Sequence, residues 1–386
     1  MEALELIEII AAGETSTVQF KEFLPEKSPI EEEMIAMSNS KGGIIIIGVA
    51  DKTGDVKGLD YDSLQKYESV LSNAANEKVK PVIYITTEVV KIQKSGSVCN
   101  VLVVYINEGT QKPYKTTKGE IFIKQGADKR RVVDNGEQIR LFQESGLLYV
   151  DEMIVPNTSL SDINKDKVVD YVKKISESDE VDVNETTYKN LNIITNDKLT
   201  LAGLLFFSNN PQKYRPAFCI KAVSFVGNDI AGIDYRDSED IRGTIPSMYA
   251  GALSFLERNL KHVQNGQNFN TEGELEVSKI ALEEIVQNSL THRDYTKNAP
   301  IRLLIFDDRI EVISPGVLPN SLTVESIKMG NAVVRNNLIS SYSTKILNYR
   351  GLGSGIIRAI RKQPNIELYN DKNGEQFIVK IPRKQN

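Results

Sequence analysis

The segment NSKGGIIIIGVADKTGDVKGLD, residues 39–60, restricts the fold of this chain more than any other. Four consecutive isoleucines are stiff at χ1 and crowd a helix, so they favour a strand. A strand over residues 44–49 with no polar alternation has to be buried. Gly42-Gly43 supplies the turn that feeds it, and Thr53-Gly54-Asp55 the turn that closes it.

Around that strand the chain reads as mixed helix and strand. Residues 2–12 form a short helix ended by Gly13, residues 18–23 a strand, and residues 30–40 a helix with Ile30, Met34 and Met37 on its apolar side. Residues 61–76 form a second helix, 83–92 and 98–106 a hairpin, and 120–124 a short strand. These elements make an α+β domain over residues 1–150. After Pro156-Asn157, residues 151–269 read as a middle α/β connector that packs the two ends together. It holds a polar helix at 160–175, a buried run at 201–207, a strand at 218–226 and a helix at 244–262. Residues 270–386 form a third domain, an α/β sandwich. Its amphipathic helix at 274–292 precedes a hairpin of 301–306 and 309–313 around Asp307-Asp308. Helices at 322–328 and 336–347, a glycine loop, a helix from 356 and a hairpin of 366–369 with 377–381 complete it. The fold class is α+β, and 386 residues are too many for one ordinary core.

Composition excludes several function classes. No apolar run approaches the roughly 18 residues of a membrane span. The opening MEALELIEII is acidic and amphipathic, unlike a signal peptide. The two cysteines, Cys99 and Cys219, lie far apart and support neither a disulfide framework nor a cysteine metal site, and two histidines cannot build a multi-His centre. A reducing, cytoplasmic setting is expected, with no membrane partner. The net charge is −5, yet its distribution is uneven. Residues 111–131 carry seven basic side chains against two acidic, and residues 335–386 ten against three. A basic strand and loop can neutralise phosphates by counterion release, although solvated lysines on an ordinary surface give the same pattern.

At the C-terminus, Glu284, Asn288 and His292 follow at intervals of four and share one helix face. That spacing fits a solvated face. It also fits a nucleotide site in which Glu284 is the general base and Asn288 offers its oxygen to Mg²⁺. Two glycine clusters follow. Gly316 stands directly after a strand, and Gly351, Gly353 and Gly355 stand just before a helix. Glycines let backbone N–H groups approach a phosphate, and a helix N-terminus adds favourable partial charge.

This order, carried by EEIVQNSLTHRDY, RIEVISPGVLP and YRGLGSG, resembles the divergent GHKL-type ATPase domain of bacterial proteins labelled putative transcriptional regulators or RecG-like helicases. The resemblance covers about residues 270–386. It implies ATP with Mg²⁺ as cofactor, Glu284 as base, and Asn288 (as the Mg²⁺ ligand), His292, Gly316, Gly351, Gly353 and Gly355 at the site. The Asp that reads adenine in that family has no counterpart at Ser314-Pro315-Gly316. No GxxxxGK[ST] motif supports a helicase motor.

At the N-terminus, GETSTVQFKEF, SNSKGGIIIIGVADKTGDVKG and KPYKTTKGEIFIKQGADKRRV look like the Schlafen AlbA-type domain over residues 1 to about 140. Such domains are described as nucleic-acid binders, and some relatives cut RNA with an acidic triad. The matching positions are Glu14, Gln19 and Asp51. Gln19 stands where the family has Glu, and a neutral amide is a poorer metal ligand, so nuclease activity is expected to be weak or absent. Asp51 equally fits an ordinary turn at a strand end. The expected backbone contacts are Lys21, Lys115, Lys118, Lys124, Lys129, Arg130 and Arg131. Tyr114 and Phe122 are aromatic enough to stack on bases, although Phe122 alternates like a core residue.

The favoured reading is a DNA-binding transcriptional regulator modulated by ATP, with DNA preferred over RNA as partner. An enzyme (a weak ATPase or a metal-dependent nuclease) and a scaffold with degenerate sites stand as alternatives, and a homo-oligomer stays open.

Overall fold

The computed structural model of the chain describes residues 1–25, 28–51, 53–94, 96–176, 178, 180–263, 273–319, 322–347 and 353–383. The fold is α+β and divides into two compact units, Met1–Leu148 and Tyr149–Asn386.

In the first unit the isoleucine run is β2 (Gly43–Ile47), parallel to β1 (Val18–Lys21). The hairpin of β3 (Ile85–Lys94) and β4 (Ser97–Ile106) completes a sheet of order β1-β2-β4-β3. Successive side chains on a strand point to opposite faces. Ile46 packs with Leu6 of α1 (Ala3–Ala12), Phe20 and Val103. Ile45 and Ile47 pack with Met34 and Met37 of α2 (Ile30–Ser38) and Leu71 of α3 (Tyr61–Glu77). Helices cover both faces, which is why no polar residue interrupts the run. Asn39, at the end of α2, is buried. Its amide donates to the Tyr114 and Phe122 carbonyls and accepts the Tyr114 N–H, at 2.7–2.9 Å.

Two elements of this unit were not read from the sequence, the second arm of a hairpin and a helix. The strand expected at 120–124 is the first arm of a hairpin, β5 (Phe122–Gln125) with β6 (Asp128–Arg131). The DKRR arm is a strand because its backbone pairs, not because its side chains alternate. Helix α4 (Asn135–Glu144) starts where the Asp134 carboxylate accepts the Glu137 N–H at 2.8 Å.

The second unit is built on one six-stranded sheet. Its strands are β7 (Ile220–Phe225), β8 (Tyr235–Ile241), β9 (Ile301–Ile305), β10 (Arg309–Pro315), β11 (Glu367–Asp371) and β12 (Gln376–Pro382). Their order is β8-β7-β9-β10-β12-β11. Only β7 and β9 pair in parallel. Helices α5 (Lys165–Ser176), α6 (Leu201–Phe207), α7 (Ile245–Asn259), α8 (Lys279–Thr291), α9 (Asn337–Ile346) and α10 (Gly355–Lys362) pack with one face in a single core. Leu304, Phe306 and Ile313 form a small cluster on the other face.

Residues 151–269 and 270–386, expected as separate domains, thus share a sheet and a core. The reason is the pairing of β7 with β9, residue against residue from Ile220 with Ile301 to Ser224 with Ile305. Strand β8, YRDSEDI, was hidden from pattern reading because it is an edge, and edge strands carry charge. The long helix begins at Lys279 rather than at 274. Upstream, Glu274–Leu275 pairs with His262–Val263, and the nearly enclosed Glu276 carboxylate binds Arg383 at 2.7 Å. Among the described residues no helix is long and apolar enough to cross a membrane.

Candidate functional sites

Helix α8 turns Ala281, Leu282, Ile285 and Leu290 into the core, which leaves Glu284, Asn288 and His292 on the side facing α10 and the turn after β10. A cleft open to solvent lies there. Asn288, His292, Gly316, Gly353 and Gly355 all line it, over an apolar floor that includes Ile285, Val312 and Phe377. Gly351 lies outside the described residues.

Glu284 is buried and sits beside this cleft, against Gly355. A Cβ on Gly355 would stand 2.5 Å from Glu284 Oε2 and 3.2 Å from Asn288 Nδ2, so only glycine lets α10 begin this close to α8. Gly353 has φ +68°, and a Cβ there would meet the Gly330 carbonyl oxygen at 2.1 Å. Both glycines are demanded by close approach, and both bring the N-terminus of α10 to the cleft.

Asn288 Nδ2 is buried and makes no hydrogen bond to another described residue. Rotating the amide by half a turn exchanges this nitrogen for the carbonyl oxygen, so the side chain can present either a donor or a hard oxygen. His292 is held at about 4, well below an ordinary imidazole, by burial and by the Arg335 guanidinium, and is neutral at pH 7. The acid that the fold brings beside Gly316 is Asp294. A Cβ on Gly316 would meet the Asp294 Cβ at 2.3 Å, and the Asp294 carboxylate accepts Thr296 N–H and O–H at 2.9 and 2.6 Å.

Pattern reading missed Arg358, one turn into α10. Its Nε and Nη2 reach Glu284 Oε1 at 2.7 and 2.6 Å, and Nη1 donates to Ser354 Oγ at 2.7 Å. Seventy-four residues separate the pair, so only the packing of α10 on α8 reveals it.

The N-terminal acids lie in a different network. Glu14 Oε1 accepts the Phe20 N–H at 2.7 Å and also the Gln19 amide. Gln19 Oε1 accepts Lys124 Nζ at 2.9 Å, and that ammonium lies 3.6 Å from Glu33. Asp51 accepts the Glu22 N–H at 3.0 Å and pairs with Lys21 at 3.1 Å. Glu33 was not singled out by sequence, although it stands on α2 among these groups. Among the described residues no cluster of three or more His, Cys, Asp or Glu could hold a metal.

The basic residues divide sharply. Lys124, expected on the nucleic-acid face, has a side chain only 1% exposed. It also donates to the Ala127 carbonyl, so it serves the interior. Lys129 pairs with Glu32 at 3.0 Å and Glu33 at 3.4 Å, Arg130 with Glu137 at 2.6 Å and Arg131 with Glu120 at 3.2 Å. Lys115 and Lys118 are exposed and make no ion pair with another described residue. Lys115 stands directly opposite Lys80 in a short ladder, and both are exposed. Tyr114 and Phe122 are buried and cannot stack on a base. Exposed aromatics of this unit include Tyr61, Tyr84 and Phe23, and Phe23, 58% exposed, stands at a small cleft lined by Lys21, Glu33, Asp51 and Lys129.

Residues 14–133 match the family described as Schlafen, AlbA_2, and residues 298–380 the family described as putative ATP-dependent DNA helicase recG C-terminal. Among solved structures, the chain is similar to the DIP2311 protein from Corynebacterium diphtheriae, at 18% identity and a TM-score of 0.47, over 99% of this chain and 69% of that one. No curated protein matches the chain. The first match contains the basic hairpin β5–β6 and the second contains Gly316, Gly353 and Gly355, whereas α8 lies outside both; the chain carries a Schlafen AlbA_2 domain at its N-terminus and a recG C-terminal-type, ATPase-like domain at its C-terminus.

Proposed function

We propose that the chain is a DNA-binding transcriptional regulator whose affinity for DNA responds to ATP in the cleft between α8 and α10. The observation that carries this reading is the convergence of Asn288, His292, Gly316, Gly353 and Gly355 on one cleft. The backbone leading into α10 suits phosphates, the apolar floor suits a base, and the Asn288 carbonyl oxygen is a hard ligand that suits Mg²⁺. Among the described residues no acidic cluster competes, and Mg²⁺ would enter with the nucleotide's own oxygens. Glu284 beside Asn288 gives the site a general base, and any turnover is lost in Glu284→Ala.

In the N-terminal domain the phosphate contacts are Lys80, Lys115 and Lys118, joined by Arg130 and Arg131, whose partly exposed ion pairs yield readily to a phosphate. Phe23 offers a stacking surface in place of Tyr114 and Phe122. Nuclease action finds little support, because Gln19 is tied to Lys124, and Glu14 and Asp51 are both engaged. If ATP changes DNA affinity, DNA must change ATP affinity by the same factor.

Calorimetry with ATP, with and without Mg²⁺, tests the reading. Binding that needs Mg²⁺ and weakens at least about tenfold in Asn288→Ala is expected, the loss typical of one charge-assisted contact. Absence of binding by the intact chain refutes the ATP-responsive reading.

A further inference from the structure

We propose that Arg358 reads the terminal phosphate of a nucleoside triphosphate in this cleft and gives up Glu284 to do so. The inference rests on the ATP reading of the cleft. It adds a specificity-determining residue and a reason why the base is inactive until a triphosphate arrives.

Three observations carry it. First, Arg358 lines the cleft while Glu284 stands behind it, so an anion entering meets the guanidinium before the carboxylate. Second, the two partners are unequally free. The Arg358 side chain is 38% exposed and that of Glu284 only 12%. The arginine is the end that can turn outward, whereas the glutamate is packed against Gly355. Third, the pair is unsymmetrical. Nε and Nη2 both address Oε1, at 2.7 and 2.6 Å, so it is not the two-oxygen fork that holds arginine and carboxylate most firmly.

A terminal phosphate carries more charge than a carboxylate and offers three acceptor oxygens to the same planar donors. It therefore competes with Glu284 for Arg358. A diphosphate lacks that group and leaves the pair closed. Released from Arg358, Glu284 keeps an unpaired carboxylate beside Asn288, as a general base requires.

The test is calorimetry of MgATP and MgADP on the full chain and on two variants. Arg358→Ala is expected to weaken ATP at least about tenfold while moving ADP by less than about threefold, the difference of one charge-assisted contact. Glu284→Gln, close in shape but uncharged, removes the competitor and is expected to tighten ATP several-fold with ADP unchanged. Opposite signs from two partners of one ion pair are what a merely structural bridge would not produce. Equal loss of ATP and ADP in Arg358→Ala, or ATP affinity unchanged or weaker in Glu284→Gln, overturns the proposal while leaving the ATP site intact. ATP and ADP binding to none of the three proteins refutes the ATP reading itself. Should Arg358→Ala fail to fold, the Glu284→Gln arm decides alone.

Discussion

Asp151 has no exposed surface, and its Oδ2 accepts the Ile339 N–H at 2.9 Å in the first turn of α9. Burial pushes its carboxyl up from 3.8 to about 6, against the opposing pull of that backbone bond. Below pH 3.8 the group is neutral folded and unfolded, and costs nothing. As pH rises the unfolded chain ionises first, so stability falls until pH passes about 6. The penalty above that point is on the order of 3 kcal/mol. Asp151→Asn keeps a hydrogen-bond acceptor and removes the charge. Urea unfolding at pH 4.5 and pH 7.5 is expected to show the variant closing most of the gap between the two, with its gain at the higher pH. An equal effect at both would mean the carboxyl does not titrate differently on folding. Nothing in the sequence around Asp151 marks it, since its partner is 188 residues away. Asn39 caps α2, and its three buried hydrogen bonds tie the helix end to Tyr114 and Phe122, partners too distant in sequence to leave a local signal. Lys124 was misread, because a lysine in a basic stretch looks exposed until Glu33 and Gln19 close over it.

Among elements, the contact of α8 with α10 decides the C-terminal site. The glycine loop and the four-residue spacing on α8 were visible in sequence because both are local. Their meeting was not, and Gly355 is the residue that permits it. Gly355→Ala drives a methyl to 2.5 Å from Glu284 Oε2. It is expected to lower stability by about 1–3 kcal/mol through overpacking and to abolish nucleotide binding in the same sample. A thermal melt and calorimetry check the two effects together. Full binding with an unchanged melt would show that α10 has room to shift. The edge strand β8 and the DKRR arm β6 escaped sequence reading for one reason. Each is a strand by virtue of a neighbour's backbone, and charged side chains hide that.

For the whole molecule, charge distribution is the instructive quantity. The seven basic residues of 111–131 suggested a phosphate-binding face, yet α2 and the nearby acids neutralise most of them. What stays open is Lys118 and the facing pair of Lys80 with Lys115, like charges held opposite each other, an arrangement that is unfavourable until an anion binds. Replacing both by Ala is expected to weaken DNA binding and to lower the slope of log affinity against log salt by about 2, one for each phosphate contact. An unchanged slope would remove this ladder from the interface. The paired β7 and β9 join residues 151–269 to 270–386 in one unit, against the three-domain division that local signals suggested.

The amino-acid order alone determined the α+β class, the buried isoleucine strand, the helix of Glu284 and Asn288, and the glycine turns. Each depends on periodicity or backbone freedom within a few residues. The tertiary structure decided which charges are free, which strands share a sheet, and that Arg358 holds Glu284. Those outcomes depend on distances between residues far apart in the chain, and neither composition nor spacing carries them.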